Sequence, residues 1–164
     1  MESRQKRTWA EIDLGALEHN YRALRGMLSP GCRFLGVVKA NAYGHGAIPV
    51  ARRLEQLGAD YLAVASLDEG AELRVAGITA PILVLGQTPT EFAADVVRLR
   101  LTQTVWDLES AKALSAAAQA EGREVKIHLK ADTGMSRLGL CCDASHLEQT
   151  AETMAAICAL PGLN

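Results

Sequence analysis

Short apolar strands alternate with amphipathic helices along this chain at a nearly constant interval. Strand-like runs begin near residues 34, 61, 81, 102 and 125, about 23 residues apart. Strands separated by helices pair in parallel through right-handed crossovers. The interval fits a (β/α)8 barrel better than a doubly wound sheet, and no GxGxxG follows the first strand, which weakens a dinucleotide-binding alternative. The expected fold class is therefore α/β: a partial (β/α)8 TIM barrel of about five βα units, preceded by an N-terminal strand and helix.

The individual elements follow from local signals. Thr8-Trp9-Ala10-Glu11-Ile12-Asp13 alternates with period two and reads as a strand, giving an N-terminal strand region 1–13 and an incomplete barrel domain 14–164. Asp13 caps a helix with Leu14, Leu17, Tyr21, Leu24 and Leu28 on one face, ended by Ser29-Pro30-Gly31. A helix from Ala47 to Leu57 stops at Gly58. Ser66 and Glu69 have capping-box spacing. Thr90 opens a helix with Phe92, Val96 and Leu99, and Asp107 caps another closed by Gly122. Ser145 and Glu148 open the last helix, with Leu147, Ala151, Met154 and Cys158 at helical spacing. A closed barrel needs eight units and typically ~250 residues. Five units leave two unpaired outer strands, so the expectation is the N-terminal part of a longer chain, with a self-contained open sheet as the alternative.

Composition narrows the partners. The 164 residues are 49% hydrophobic and 22% charged, with net charge −2. That balance, without a basic run, argues against nucleic acid or an anionic membrane surface. Arg4, Lys6 and Arg7 read as a solvated terminus. No apolar stretch approaches a membrane span, and no apolar leader core is visible, so a cytoplasmic location is expected. Cys32, Cys141, Cys142 and Cys158 form no CxxC and no Cys/His cluster of zinc spacing, so free thiols and no metal are expected.

Lys39 closes the apolar run Phe34-Leu35-Gly36-Val37-Val38 and precedes the glycine-punctuated Ala40-Asn41-Ala42-Tyr43-Gly44-His45-Gly46. An amine that adds to an aldehyde must be unprotonated, and burial at the mouth of an apolar sheet favours that form. Taken alone, Lys39 also reads as a solvated residue after a strand. Asn41 and His45 read as turn-shaping residues, and Gly44 and Gly46 as positions permitting tight backbone geometry. A second cluster, Lys130-Ala131-Asp132-Thr133-Gly134-Met135-Ser136-Arg137-Leu138-Gly139, follows the fifth strand, where barrels deliver functional groups. Arg137 offers a permanently charged fork suited to a carboxylate or phenolate oxygen. Lys130 and Asp132, read alone, form a surface ion pair.

The string from Val37 to Gly46 resembles the cofactor-lysine motif of the bacterial alanine racemases, fold-type III enzymes that depend on pyridoxal 5'-phosphate. The string from Lys130 to Gly139 resembles that family's Lys-x-Asp-Thr-Gly-Met-x-Arg-Leu-Gly block. Weaker similarity lies in Trp9 to Leu14, Ala65 to Gly70 and Leu83 to Gly86, so the resemblance runs from about residue 8 to the end. It implies that Lys39 holds the cofactor covalently and moves the substrate α proton on one face. It implies further that Tyr43 helps hold the cofactor phosphate and that Arg137 bonds the cofactor's phenolic oxygen and orients the substrate carboxylate. Lys130 matches a position that is often carbamylated to support the arginine. The resemblance implies an amino-acid substrate, a homodimer and a role in D-alanine supply for the cell wall. It also implies that the second acid/base tyrosine, most of the phosphate cup and a β domain lie beyond this chain, so the isolated chain is expected to racemise alanine poorly or not at all. A serine or broad-specificity racemase, an amino-acid decarboxylase and a non-catalytic single-barrel pyridoxal-phosphate-binding protein remain as alternatives.

Overall fold

The computed structural model describes residues 8–164. Five parallel strands lie in sequence order, β1 (Leu35–Val37), β2 (Tyr61–Val64), β3 (Ile82–Val84), β4 (Thr102–Val105) and β5 (Ile127–Leu129). The intervening helices are α1 (Leu14–Gly26), the short α2 (Lys39–Tyr43), α3 (Ala47–Gln56), α4 (Leu67–Val75), α5 (Ala93–Arg98), α6 (Leu108–Ala120) and α7 (Leu147–Cys158). Two-residue strands β6 (Ala131–Asp132) and β7 (Leu140–Cys141) pair with each other after β5. Strand neighbours that follow sequence order, each linked through a helix, make this a partial (β/α)8 barrel, as the strand interval predicts.

Register assigns each strand residue to a face. Leu35 pairs with Tyr61, Val37 with Ala63, Ala63 with Leu83, Leu83 with Thr102, and Thr104 with His128. These residues share the side away from the helices. The Tyr61 and Thr102 hydroxyls meet there at 2.8 Å. On the opposite face, Leu62, Val64, Ile82, Val84 and Val105 are fully buried against the helix layer. Gly36 is required on that face, because a Cβ there would lie 2.8 Å from Cδ1 of Leu54 on α3.

The end of the chain continues the sheet. Val125 and Leu163 form a parallel bridge, Asn164 donates its N–H to the Val125 carbonyl at 3.0 Å, and Ile127 donates to Asn164 at 2.9 Å. The last residues thus pair in parallel along the edge of the sheet beside β5.

Several local expectations are corrected. Residues 8–13 form no strand: their period-two pattern finds no ladder partner among the described residues, and Trp9 is 71% exposed. The expected strand region 1–13 otherwise lies outside the described residues. Asp13 does cap α1, accepting the N–H groups of Gly15 and Ala16. Thr90–Phe92 is a single 3-10 turn before α5, and Phe92 is exposed. The last helix begins after His146 and buries Thr150 and Ile157, while Leu147 and Cys158 are exposed.

Candidate active site

The chain after β1 does not turn in the usual sense. Ala40, Asn41, Ala42 and Tyr43 all have left-handed backbone angles, with φ of 50°, 54°, 51° and 54°. Left-handed helix costs an L-residue roughly 1–2 kcal/mol, so four in a row store about 4–8 kcal/mol that the surroundings must offset. The turn's own bonds supply part of this: Ala42 N–H to the Val38 carbonyl at 2.9 Å, Gly44 N–H to Ala40 at 3.1 Å and Gly46 N–H to Asn41 at 2.9 Å. Side chains close it further. Asn41 Oδ1 accepts the Ala47 N–H at 2.7 Å at the start of α3, and His45 Nδ1 donates to the Ala42 carbonyl at 2.8 Å. Asn41 and His45 therefore shape the turn.

Lys39 leads into this turn, half-buried, from the C-terminal end of β1. Its side chain enters no ion pair among the described residues. Tyr43, at the end of the turn, is 60% exposed. Together with Tyr21, Phe34 and Val37 it borders a groove of about 610 Å³ between α1, β1 and α3.

Lys130 and Arg137 leave the sheet at the same rim, after β5. Lys130 is half-buried, with its N–H bonded to the Val105 carbonyl at 2.9 Å. Arg137 is exposed, and its guanidinium contacts Met135 Sδ. Parallel strands bring the four expected residues to one end of the sheet, with Lys39 and Tyr43 after its first strand and Lys130 and Arg137 after its fifth. Lys130 and Asp132 form no ion pair within 4.0 Å; the aspartate bonds the loop backbone instead, at the Gly134 and Ser136 N–H groups.

Sequence reading missed a hydrogen-bonded belt beneath this rim. Glu69 Oε2 accepts the Ala65 N–H at 2.7 Å, and the Ala65 carbonyl accepts the Gly86 N–H at 3.0 Å. A Cβ at Gly86 would come within 2.5 Å of that carbonyl oxygen, so only glycine lets the two strand ends approach. Buried Gln103 donates to the Gly86 carbonyl at 2.7 Å and accepts from Thr88 Oγ1 at 2.7 Å. Glutamine at a strand position and glycine after a strand are the only sequence traces of this belt.

Two other features lie apart. An open cavity of about 830 Å³ is bordered by Tyr61, Arg74, Arg100, Thr102, Arg123 and Lys126 at the opposite rim. Arg74 is committed there to the carbonyls of Ile78, Ala80, Leu99 and Arg100. Before α7, Cys141, Asp143 and His146 bring one donor atom each within 4.8 Å of the others, a grouping the sequence spacing did not suggest. All three are exposed, and Asp143 acts as a capping group that accepts the Ser145 and His146 N–H groups. Hydrogen bonds from the Ser145 hydroxyl and from His146 hold its carboxyl far below the usual carboxylate range. No disulfide forms among the four cysteines, and no helix among the described residues is long and apolar enough to cross a membrane.

Comparison with known proteins agrees with this fold. The profile of the alanine racemase N-terminal domain matches residues 12–164. A curated alanine racemase of Desulfovibrio desulfuricans is 53% identical over 140 residues, 85% of this chain and 38% of that protein. The structure of an alanine racemase of Clostridium difficile 630 in complex with cycloserine superposes with a TM-score of 0.92 at 39% identity, covering 99% of this chain and 43% of that one. An alanine racemase of Bacillus anthracis with bound L-Ala-P gives 0.82 at 33% identity, over 99% of this chain and 42% of its own. The chain spans about two fifths of the length of the curated relatives it matches. By profile, sequence and fold, it belongs to the alanine racemase family.

Proposed function

We propose that this chain carries the cofactor lysine of a pyridoxal-phosphate-dependent racemase that interconverts L- and D-alanine, the D-alanine serving peptidoglycan precursors. The observation that carries this reading is Lys39 at the end of β1, held ahead of a left-handed turn, at the rim from which the Arg137 loop also leaves. The names of the relatives supply the substrate.

The side chains present suit the cofactor's groups. Lys39 offers an amine without an ion-pair partner among the described residues, for the aldehyde carbon. Tyr43 offers an exposed hydroxyl for the phosphate, and Arg137 a planar fork for the phenolate oxygen and the substrate carboxylate. Lys130, as a carbamate, would support Arg137. When bound, pyridoxal phosphate supplies the electron sink that acidifies the substrate's α C–H. Lys39 then removes or returns the α proton on one face.

Racemisation also needs a base on the opposite face. Three of the tyrosines and histidines nearest the sheet and turn are engaged elsewhere. Tyr21 is buried edge-on against Phe34 at 4.8 Å, Tyr61 bonds Thr102, and His45 bonds the turn backbone. In this reading the second base comes from a partner subunit of a cytoplasmic homodimer, and the isolated chain racemises alanine poorly.

The test is the visible absorbance of the chain mixed with pyridoxal phosphate. A new band that vanishes in Lys39→Ala supports the reading. A band that survives the substitution removes Lys39 as the attachment point.

A further inference from the structure

The geometry points to Glu69 as the positioning residue of the lysine site: its carboxylate clamps the left-handed turn in place and thereby aims Lys39. This inference rests on the reading of Lys39 given above and adds a second residue to that site.

Glu69 is the third residue of α4, after the N-cap Ser66. In a capping box the glutamate at this position folds back onto the N-cap N–H. Here Ser66 keeps its half of the motif, with Oγ accepting the Glu69 N–H at 3.4 Å. The glutamate does not return the bond. Its Oε2 accepts the N–H of Ala65, at the end of β2, and its Oε1 accepts the N–H of Ala40, each at 2.7 Å. One carboxylate thus spans the ends of two neighbouring strands.

The second of these bonds falls at the start of the left-handed run. Ala40 immediately follows Lys39 and is the first of the left-handed residues. Its N–H belongs to the peptide unit whose carbonyl is Lys39's own. An ionised acceptor makes short bonds to backbone N–H groups, roughly twice as strong as neutral ones. Fixing that peptide plane fixes the direction in which the lysine leaves β1. No other side chain among the described residues bonds the Ala40 N–H. The belt continues from Ala65 through Gly86 to Gln103, so the anchor point is itself rigid.

The clamp makes separable predictions for the complete 164-residue chain. In the native sequence, carbon chemical shifts of Ala40–Tyr43 report left-handed backbone. In Glu69→Ala those shifts move to ordinary values, and reductive capture of pyridoxal phosphate at Lys39 slows at least tenfold. Glu69→Gln, with a single acceptor oxygen, falls between. Glu55→Gln is the control, because Glu55 also bonds backbone N–H groups across a loop but is remote from the turn. It lowers thermal stability and leaves both the turn shifts and the capture rate unchanged. Left-handed shifts that persist in Glu69→Ala with an unchanged capture rate would overturn the proposal. So would equal loss of the turn shifts in Glu55→Gln, which would make the effect one of global stability. The two readings separate through the native chain. Left-handed shifts that depend on Glu69, without any capture at Lys39, retain the clamp and reject the cofactor assignment.

Discussion

The carboxylate of Asp132 accepts the N–H of Ser136 at 3.0 Å, one residue before Arg137. It also accepts the Gly134 N–H at 2.9 Å. Ser136 itself has a left-handed φ of 55°. The aspartate therefore closes the loop after β6 on itself and gives the arginine a defined point of departure. These backbone bonds, Gly134 first and Ser136 next, hold the Asp132 carboxyl below the usual carboxylate range.

Removing that acceptor should loosen the loop without unfolding the sheet. Asp132→Ala is expected to speed amide hydrogen exchange at Gly134 and Ser136 on the order of tenfold, with β2 to β4 unchanged. Asp132→Asn keeps one acceptor oxygen and should change less. Equal exchange rates in all three proteins would contradict the assignment.

Acid should weaken the fold from a definite side. Glu55 Oε1 accepts the Thr79 N–H, the Thr79 hydroxyl and the Ala80 N–H at 2.8, 2.8 and 2.7 Å. Desolvation is the largest single influence on Glu55 and raises its pKa, but the bonds from Ala80 and Thr79 together outweigh it and the net shift is downward. Asp60 is lowered first by the Phe34 N–H and then, against desolvation, by Arg25. Groups whose folded pKa is depressed contribute stability that is complete above their ordinary values, 4.5 for Glu55 and 3.8 for Asp60. That stability is lost as pH falls through the folded values. The urea midpoint is expected to hold between about pH 7 and 5 and to drop below about pH 4, with a smaller drop in Glu55→Gln. A midpoint that rises on acidification would contradict this.

The two close approaches in the sheet should differ in tolerance. Gly36→Ala meets a leucine methyl that is able to rotate, and should cost about 1–3 kcal/mol. Gly86→Ala meets the Ala65 carbonyl oxygen, which is fixed in the belt, and should cost more. Denaturation midpoints of the two variants give the order directly.

The strands were legible because each is a local apolar run bounded by turn residues, as at Ile82–Val84 between Pro81 and Gly86. The rim residues were legible because two motifs carry them and parallel strands bring both motifs to one end. The left-handed turn was not: Ala40-Asn41-Ala42-Tyr43 holds no glycine, and of the four only Asn41 is a residue type that visits that conformation readily. What accompanies it is Glu69, distant in sequence, whose spacing to Ser66 pointed to an ordinary cap. The face of α7 was misread for a related reason. Thr150 is buried because its hydroxyl reaches the Cys141 carbonyl at 2.5 Å, a tertiary bond that hydrophobic periodicity does not register. The period-two pattern of residues 8–13 is real, but a strand exists only with a partner.

The most direct test of the central claim is peptide mapping after borohydride reduction of the chain with pyridoxal phosphate. The account predicts the cofactor's reduced mass on the peptide containing Lys39, in preference to Lys112, Lys126 and Lys130. Labelling spread evenly over the lysines, or concentrated away from position 39, would contradict it.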